Sequence, residues 1–122
     1  MANFKEIEDL VQQNTRNKIV FCTDSINGID FVDAGYRLAL AIQSGEDATS
    51  AVSMLFGSTA QHPTIGNYLA LKNVGILFEP ELKLNIRDIL LSYSKNQCLV
   101  IQADSDLMPL LQIKGLPYIV LK

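Results

Sequence analysis

Residues 18–23 read KIVFCT, a short apolar run closed at both ends by polar residues. A strand covered on both faces has this form, because neither side needs to meet water and the usual polar alternation disappears. The pattern returns as YLAL at 68–71, QCLVIQA at 97–103 and PYIVL at 117–121. Between these runs the spacing changes to that of helices. Phe4, Ile7, Leu10 and Val11 share one helical face behind an Asn3/Glu6 capping box, and this helix is expected to end near Asn17. A second helix is expected from Phe31 to Ser44, with Ala34, Leu38, Ala41 and Ile42 turned inward.

The clearest helical pattern opens at Pro80. Leu82, Ile86, Ile89, Leu90 and Tyr93 lie on one face, proline at the first position loses no hydrogen bond, and Glu81 suits the positive end of the dipole. Lys95-Asn96 closes it. Some stretches stay open. SAVSMLF at 50–56 fits a short strand or a helical turn, and 75–78 fits a continued strand or a short separate element. Gly45 to Ala48 is a solvated loop, and His62-Pro63 and Gly66 break regular structure within 58–67. Strands alternating with helices imply right-handed crossovers and a three-layer α/β fold, a mostly parallel sheet flanked by helices. With no repeat, linker or low-complexity tract, residues 1–122 read as one domain.

Composition narrows the class. The chain is 48% hydrophobic with modest charge, which suits a folded domain with a real core rather than disorder. Its net charge of -3 and the absence of basic tracts argue against direct nucleic-acid binding. No apolar run approaches the ~20 residues that cross a bilayer, so no membrane role is expected. The acidic, polar start MANFKEIEDL is not a secretory signal, and the expected location is cytoplasmic. Cys22 and Cys98 lie inside strand-like runs without C-x-x-C spacing, as reduced core thiols do.

Open α/β sheets bind ligands beyond the carboxyl ends of their strands. That rule selects Thr23 to Asp30, Lys72-Asn73 and Asp104 to Asp106. The first loop stands where a phosphate-binding loop would, yet Gly28 is followed by Ile29-Asp30, with no lysine or hydroxyl in register. Asp24, Asp30 and Asp33 would repel a triphosphate. The strand YLAL runs into Lys72, a cation where a Walker B strand carries the acid that holds Mg²⁺. Asp24, Asp104 and Asp106 could gather at one edge to hold Mg²⁺ for phosphoryl chemistry if their strands are neighbours, but loop and cap duty explains such acids more simply. His62 has no nucleophile beside it in the sequence and reads as a loop-packing residue. The candidate ligand-binding residues are Asp24, Asn27, Gly28, Asp30, Lys72, Asn73, Asn96 and Asp104, with no catalytic residue, metal or cofactor expected.

The run NVGILFEPELKLNIRDILLSYSKNQCLVI at 73–101 resembles the small P-loop protein family (BrxF) of bacterial BREX phage-defence systems. The likeness rests on Asn73, Leu77, Phe78, Glu79, Pro80, Leu82, Lys83, Leu90, Ser94, Lys95 and Asn96, and on the ending GLPYIVLK. It covers about a third of the chain closely. It implies a degenerate, Rossmann-like P-loop domain that serves a defence complex by contact, with Asn96 at a sensor-like position. GYRLA at 35–39, GILFEPEL at 75–82 and LPYIVL at 116–121 also resemble the F subunit of rotary V-type ATPases, an α/β domain without activity of its own. The expectation is a non-catalytic interaction module that acts on a larger protein partner or a second copy of itself.

Overall fold

The computed structural model describes residues 4–13, 17–95, 97–113 and 115–121. KIVFC forms β1 (Lys18–Cys22), with all but its first residue buried. It lies inside a sheet ordered β2-β4-β5-β1-β6, made of β2 (Phe31–Asp33), β4 (Gly66–Lys72), β5 (Cys98–Gln102), β1 and β6 (Ile119–Val120). These pairings are all parallel. Among the described residues only β3 (Ala60–His62) runs antiparallel, on the first half of the β4 edge that β2 completes. The chain is thus a mostly parallel α/β sheet with helices on both faces.

Alternate residues build two cores. Ile19, Phe21, Leu69, Leu71, Leu99 and Ile101 face one way, and are covered by α2 (Ala34–Gln43), α3 (Ala48–Phe56), α4 (Ile86–Tyr93) and α5 (Met108–Leu111). Val20, Cys22, Tyr68, Ala70, Cys98 and Val100 face the other way. There the cover is thinner, comprising Ile7 of α1 (Phe4–Gln12), Ile26 and Ile29 of the loop after β1, and Ile65.

Local chemistry explains most boundaries. Asp47 accepts the Ser50 amide at 2.7 Å and caps α3, which resolves SAVSMLF as helix. The helix expected from Phe31 starts at Ala34 instead, because Phe31–Asp33 pairs with Ala70–Lys72 and Asp33 caps α2. Pro80 opens only a 3₁₀ turn (Pro80–Leu82). Lys83 then takes a left-handed φ of 52°, and Asn85 accepts the Asp88 amide at 3.1 Å to start α4 afresh at Ile86. Residues 74–78, open between strand and separate element, form another 3₁₀ segment (Val74–Phe78). The break within 58–67 is a hairpin, β3 turning through 63–65 into β4 at Gly66, whose φ is +75°. α1 stops at Gln12 and Asn17 is non-helical, while Asn3 of the capping box lies outside the described residues.

Asn17 instead ties β1 to α4, its amide donating to Leu91 O and Ser94 Oγ at 2.9 Å each. Ser94 is fully buried, so these partners spare it an unpaired hydroxyl. Cys22 pairs in register with Gln102 and Cys98 with Lys18. The two thiols are therefore four residues apart along parallel strands, roughly 13 Å at the usual rise, and form no disulfide. Among the described residues no helix is long and apolar enough to cross a membrane.

Candidate functional site

β1, β5 and β4 are neighbours whose carboxyl ends finish side by side. Beyond them opens a crevice of about 250 Å³ lined by Thr23, Lys72, Asn73, Gln102, Asp104 and Leu107, with Val74 and Ala103 between. The β1–β5 ladder reaches its floor, Ala103 N–H donating to Cys22 O at 2.9 Å. Of the sequence candidates, Lys72, Asn73 and Asp104 meet here. Thr23, the first residue of the selected loop, joins them, and so does Gln102, which was not singled out. Gln102 had one signal, being the last polar residue of QCLVIQA at a strand's carboxyl end.

Each of these polar groups has a definite hold. Asn73 takes a left-handed backbone, φ 55° and ψ 51°, at the exit of β4. Its Nδ2 donates to Asp33 Oδ1 at 3.0 Å, and the same oxygen accepts the Tyr36 amide at 2.9 Å. The Tyr36 hydrogen bond, then that of Asn73 and the charge of Lys72, hold the Asp33 carboxyl below its ordinary value. Asp104 Oδ1 accepts the amides of Asp106 and Leu107 at 3.0 and 2.9 Å, an Asx-turn that leads into α5. Gln102 is half-buried, and its Oε1 is sealed from solvent without a hydrogen-bond partner among the described residues. Lys72 is exposed and in no ion pair within 4.0 Å among the described residues.

Asn73 is positioned by Gly35, since a Cβ there would lie 3.0 Å from Asn73 Cγ and 3.2 Å from its carbonyl oxygen, and closer still to Nδ2. Gly35→Ala is therefore expected to push the Asn73 amide off Asp33 and cost about 1–3 kcal/mol. Urea unfolding measures the loss, and the Asn73 side-chain amide resonances should move. An unchanged midpoint would contradict this close approach.

Asn27, Gly28 and Asp30 lie elsewhere. Ile29 N–H donates to Ile26 O at 3.1 Å, closing a turn in which Gly28 takes φ +85°, the type II pattern. Ile26 and Ile29 are buried on the sheet, and Asp30 N–H donates to Tyr68 Oη at 3.1 Å. The loop is packed as a cover for the sheet, with those two amides already paired. Asp24 is exposed and does not line the crevice. Asp24, Asp104 and Asp106 form no group placed to hold a metal among the described residues, although β1 and β5 are neighbours. Asn96 lies outside the described residues. His62 packs its ring on Phe4, centroids 4.7 Å apart, and its Nδ1 faces the Thr64 amide at 3.2 Å.

Burial pushes the Cys22 thiol up to about 11, with a smaller push from Asp24. Burial likewise pushes Cys98 up to about 12, partly opposed by Lys18. Neither is an activated nucleophile. Compared with protein-family models, curated proteins and solved structures, the chain matches none.

Proposed function

We propose that this chain is a non-catalytic α/β interaction module, a degenerate P-loop component of a bacterial anti-phage complex that works through a larger protein partner. The observation that carries the reading is the carboxyl edge itself. Lys72 stands at the end of β4 where a phosphoryl-transfer site needs an acid for its metal, and the loop after β1 is spent on packing Ile26 and Ile29. A loop closed in this way has no glycine-rich cradle to offer a triphosphate. The defence setting rests on the resemblance at 73–101. Contact with a partner is supported by Tyr36 and Met54, 61% and 58% exposed on the adjacent helices α2 and α3.

Titration calorimetry of the chain with ATP and Mg²⁺ tests the reading. No saturable heat is expected at submillimolar nucleotide, and micromolar affinity would overturn it. Pull-down from a host that carries the defence genes should recover a larger protein of that system, and Tyr36→Glu with Met54→Glu should release it without changing the melting temperature.

A further inference from the structure

The connections leaving β1 and β5 diverge at their carboxyl ends. From β1 the chain crosses the face that buries Ile26 and Ile29 and reaches β2, beyond β4. From β5 it crosses the opposite face through α5, where Met108 and Leu111 are buried, and reaches β6 on the far side of β1. Neighbouring parallel strands whose connections depart to opposite faces leave a gap between them, and open α/β sheets bind ligands in that gap. The 250 Å³ crevice borders this gap through Thr23, and the exits of β4 and β5 supply the rest of its lining.

Its lining selects a charge type. Lys72 presents one cation, and Asp104 on the adjacent strand's exit presents one carboxylate, with Oδ1 committed to two amides. A metal ion or simple cation meets Lys72, and no group of carboxylates gathers to outweigh it among the described residues. A simple anion meets Asp104, with Asp33 electrostatically coupled to Lys72 close by. A ligand carrying both charges avoids both penalties. Leu71 stands opposite Ile101 across the β4–β5 pair, so Lys72 falls opposite Gln102 and Asp104 lies two residues beyond it, which starts the two side chains about 8 Å apart. Leu107, partly exposed above the buried Val74 and Ala103, adds an apolar contact.

We propose that the crevice binds a small zwitterion of the α-amino-acid class. Its carboxylate sits on Lys72, its ammonium on Asp104, and its aliphatic side chain on Leu107. This site goes beyond the interaction role and stands or falls separately from it, since its probe is not a nucleotide.

The test is an amide-resonance titration of the full chain with the proteinogenic L-amino acids, with 4-methylpentanoate and isopentylamine as single-charge counterparts of leucine. Saturable shifts at Thr23, Lys72, Gln102 and Asp104 are expected with an aliphatic amino acid, and each single-charge counterpart should bind at least about tenfold more weakly. Lys72→Met and Asp104→Asn, both at exposed positions, should each weaken binding about tenfold with the melting temperature kept. The proposal fails if no amino acid gives saturable shifts. It fails equally if 4-methylpentanoate binds as tightly as leucine, which would mark a plain anion site, or if both variants bind like the parent chain.

Discussion

Phe21→Ala is expected to lower the stability of this protein by about 3–5 kcal/mol, the range for truncating a fully buried phenylalanine. Phe21 sits on β1 between β5 and β6 and meets the Tyr118 ring at 4.9 Å between centroids. It belongs to the larger core, where Leu90 of α4 and Leu111 of α5 are also fully buried. A rigid sheet cannot collapse into the space left behind, so the cavity penalty adds to the lost transfer energy. Domains of this size are stable by ~5–15 kcal/mol, so the variant would be close to unfolding in mild denaturant. Urea unfolding should show a lower midpoint with an unchanged slope. Leu40→Ala, at a position 43% exposed, should stay within about 0.5 kcal/mol. A loss below ~1 kcal/mol for Phe21→Ala would mean that this face is not packed as described.

Alkaline pH is expected to destabilise the fold through its two thiols. Both are raised in the folded state, to about 11 for Cys22 and about 12 for Cys98, from an ordinary 9.0. The folded chain therefore holds thiol protons that the unfolded chain releases, and stability falls as pH rises. The contribution is complete below pH 9.0, declines above it, and is lost by about pH 12. Lysine and tyrosine titrate in the same range, so the informative comparison is with Cys22→Ala/Cys98→Ala. That variant should lose stability less steeply above pH 9.0 than the parent. Parallel slopes would exclude the thiols as the cause. The same burial makes the thiols slow toward disulfide reagents at pH 8, at least about a hundredfold slower than in the unfolded chain.

Both results bear on function. A core that tolerates little loss on one face, and inert thiols on the other, leave the chemistry of this protein to its exposed edge. What that edge offers is a mixed-charge crevice between three strand ends, and an adjacent loop closed by its own isoleucines.

Much of this architecture was legible in the residues. The runs at 18–23, 68–71 and 97–103 carry the buried strands β1, β4 and β5, since burial on both faces demands continuous apolar stretches, while 117–121 holds only the two-residue β6, Ile119–Val120. Cys22 and Cys98 are free, buried thiols, as their place in those runs implied. The misses have physical causes. Phe31–Asp33 carries too few residues for a strand pattern, and becomes one only because β4 offers its edge. Pro80 has every local qualification to start a helix, but the cap at Asn85 and the left-handed Lys83 divide the segment. Met108–Leu111 is too short for periodicity to register.

The site divides along the same line. That Lys72, Asn73 and Asp104 stand at strand exits followed from the strands themselves, because position along a strand is local information. Their company with Thr23 and Gln102 depends on strand order, and on β1 lying beside β5 while its chain returns at β2. No local pattern encodes that adjacency. The sequence by itself determined an α/β sheet of buried strands and the absence of a triphosphate-binding motif. Only the tertiary structure decided that the loop after β1 covers the sheet, because Ile26 and Ile29 gain more by burial than their amides could gain by facing an anion. It alone brought one cation and one carboxylate to the same crevice.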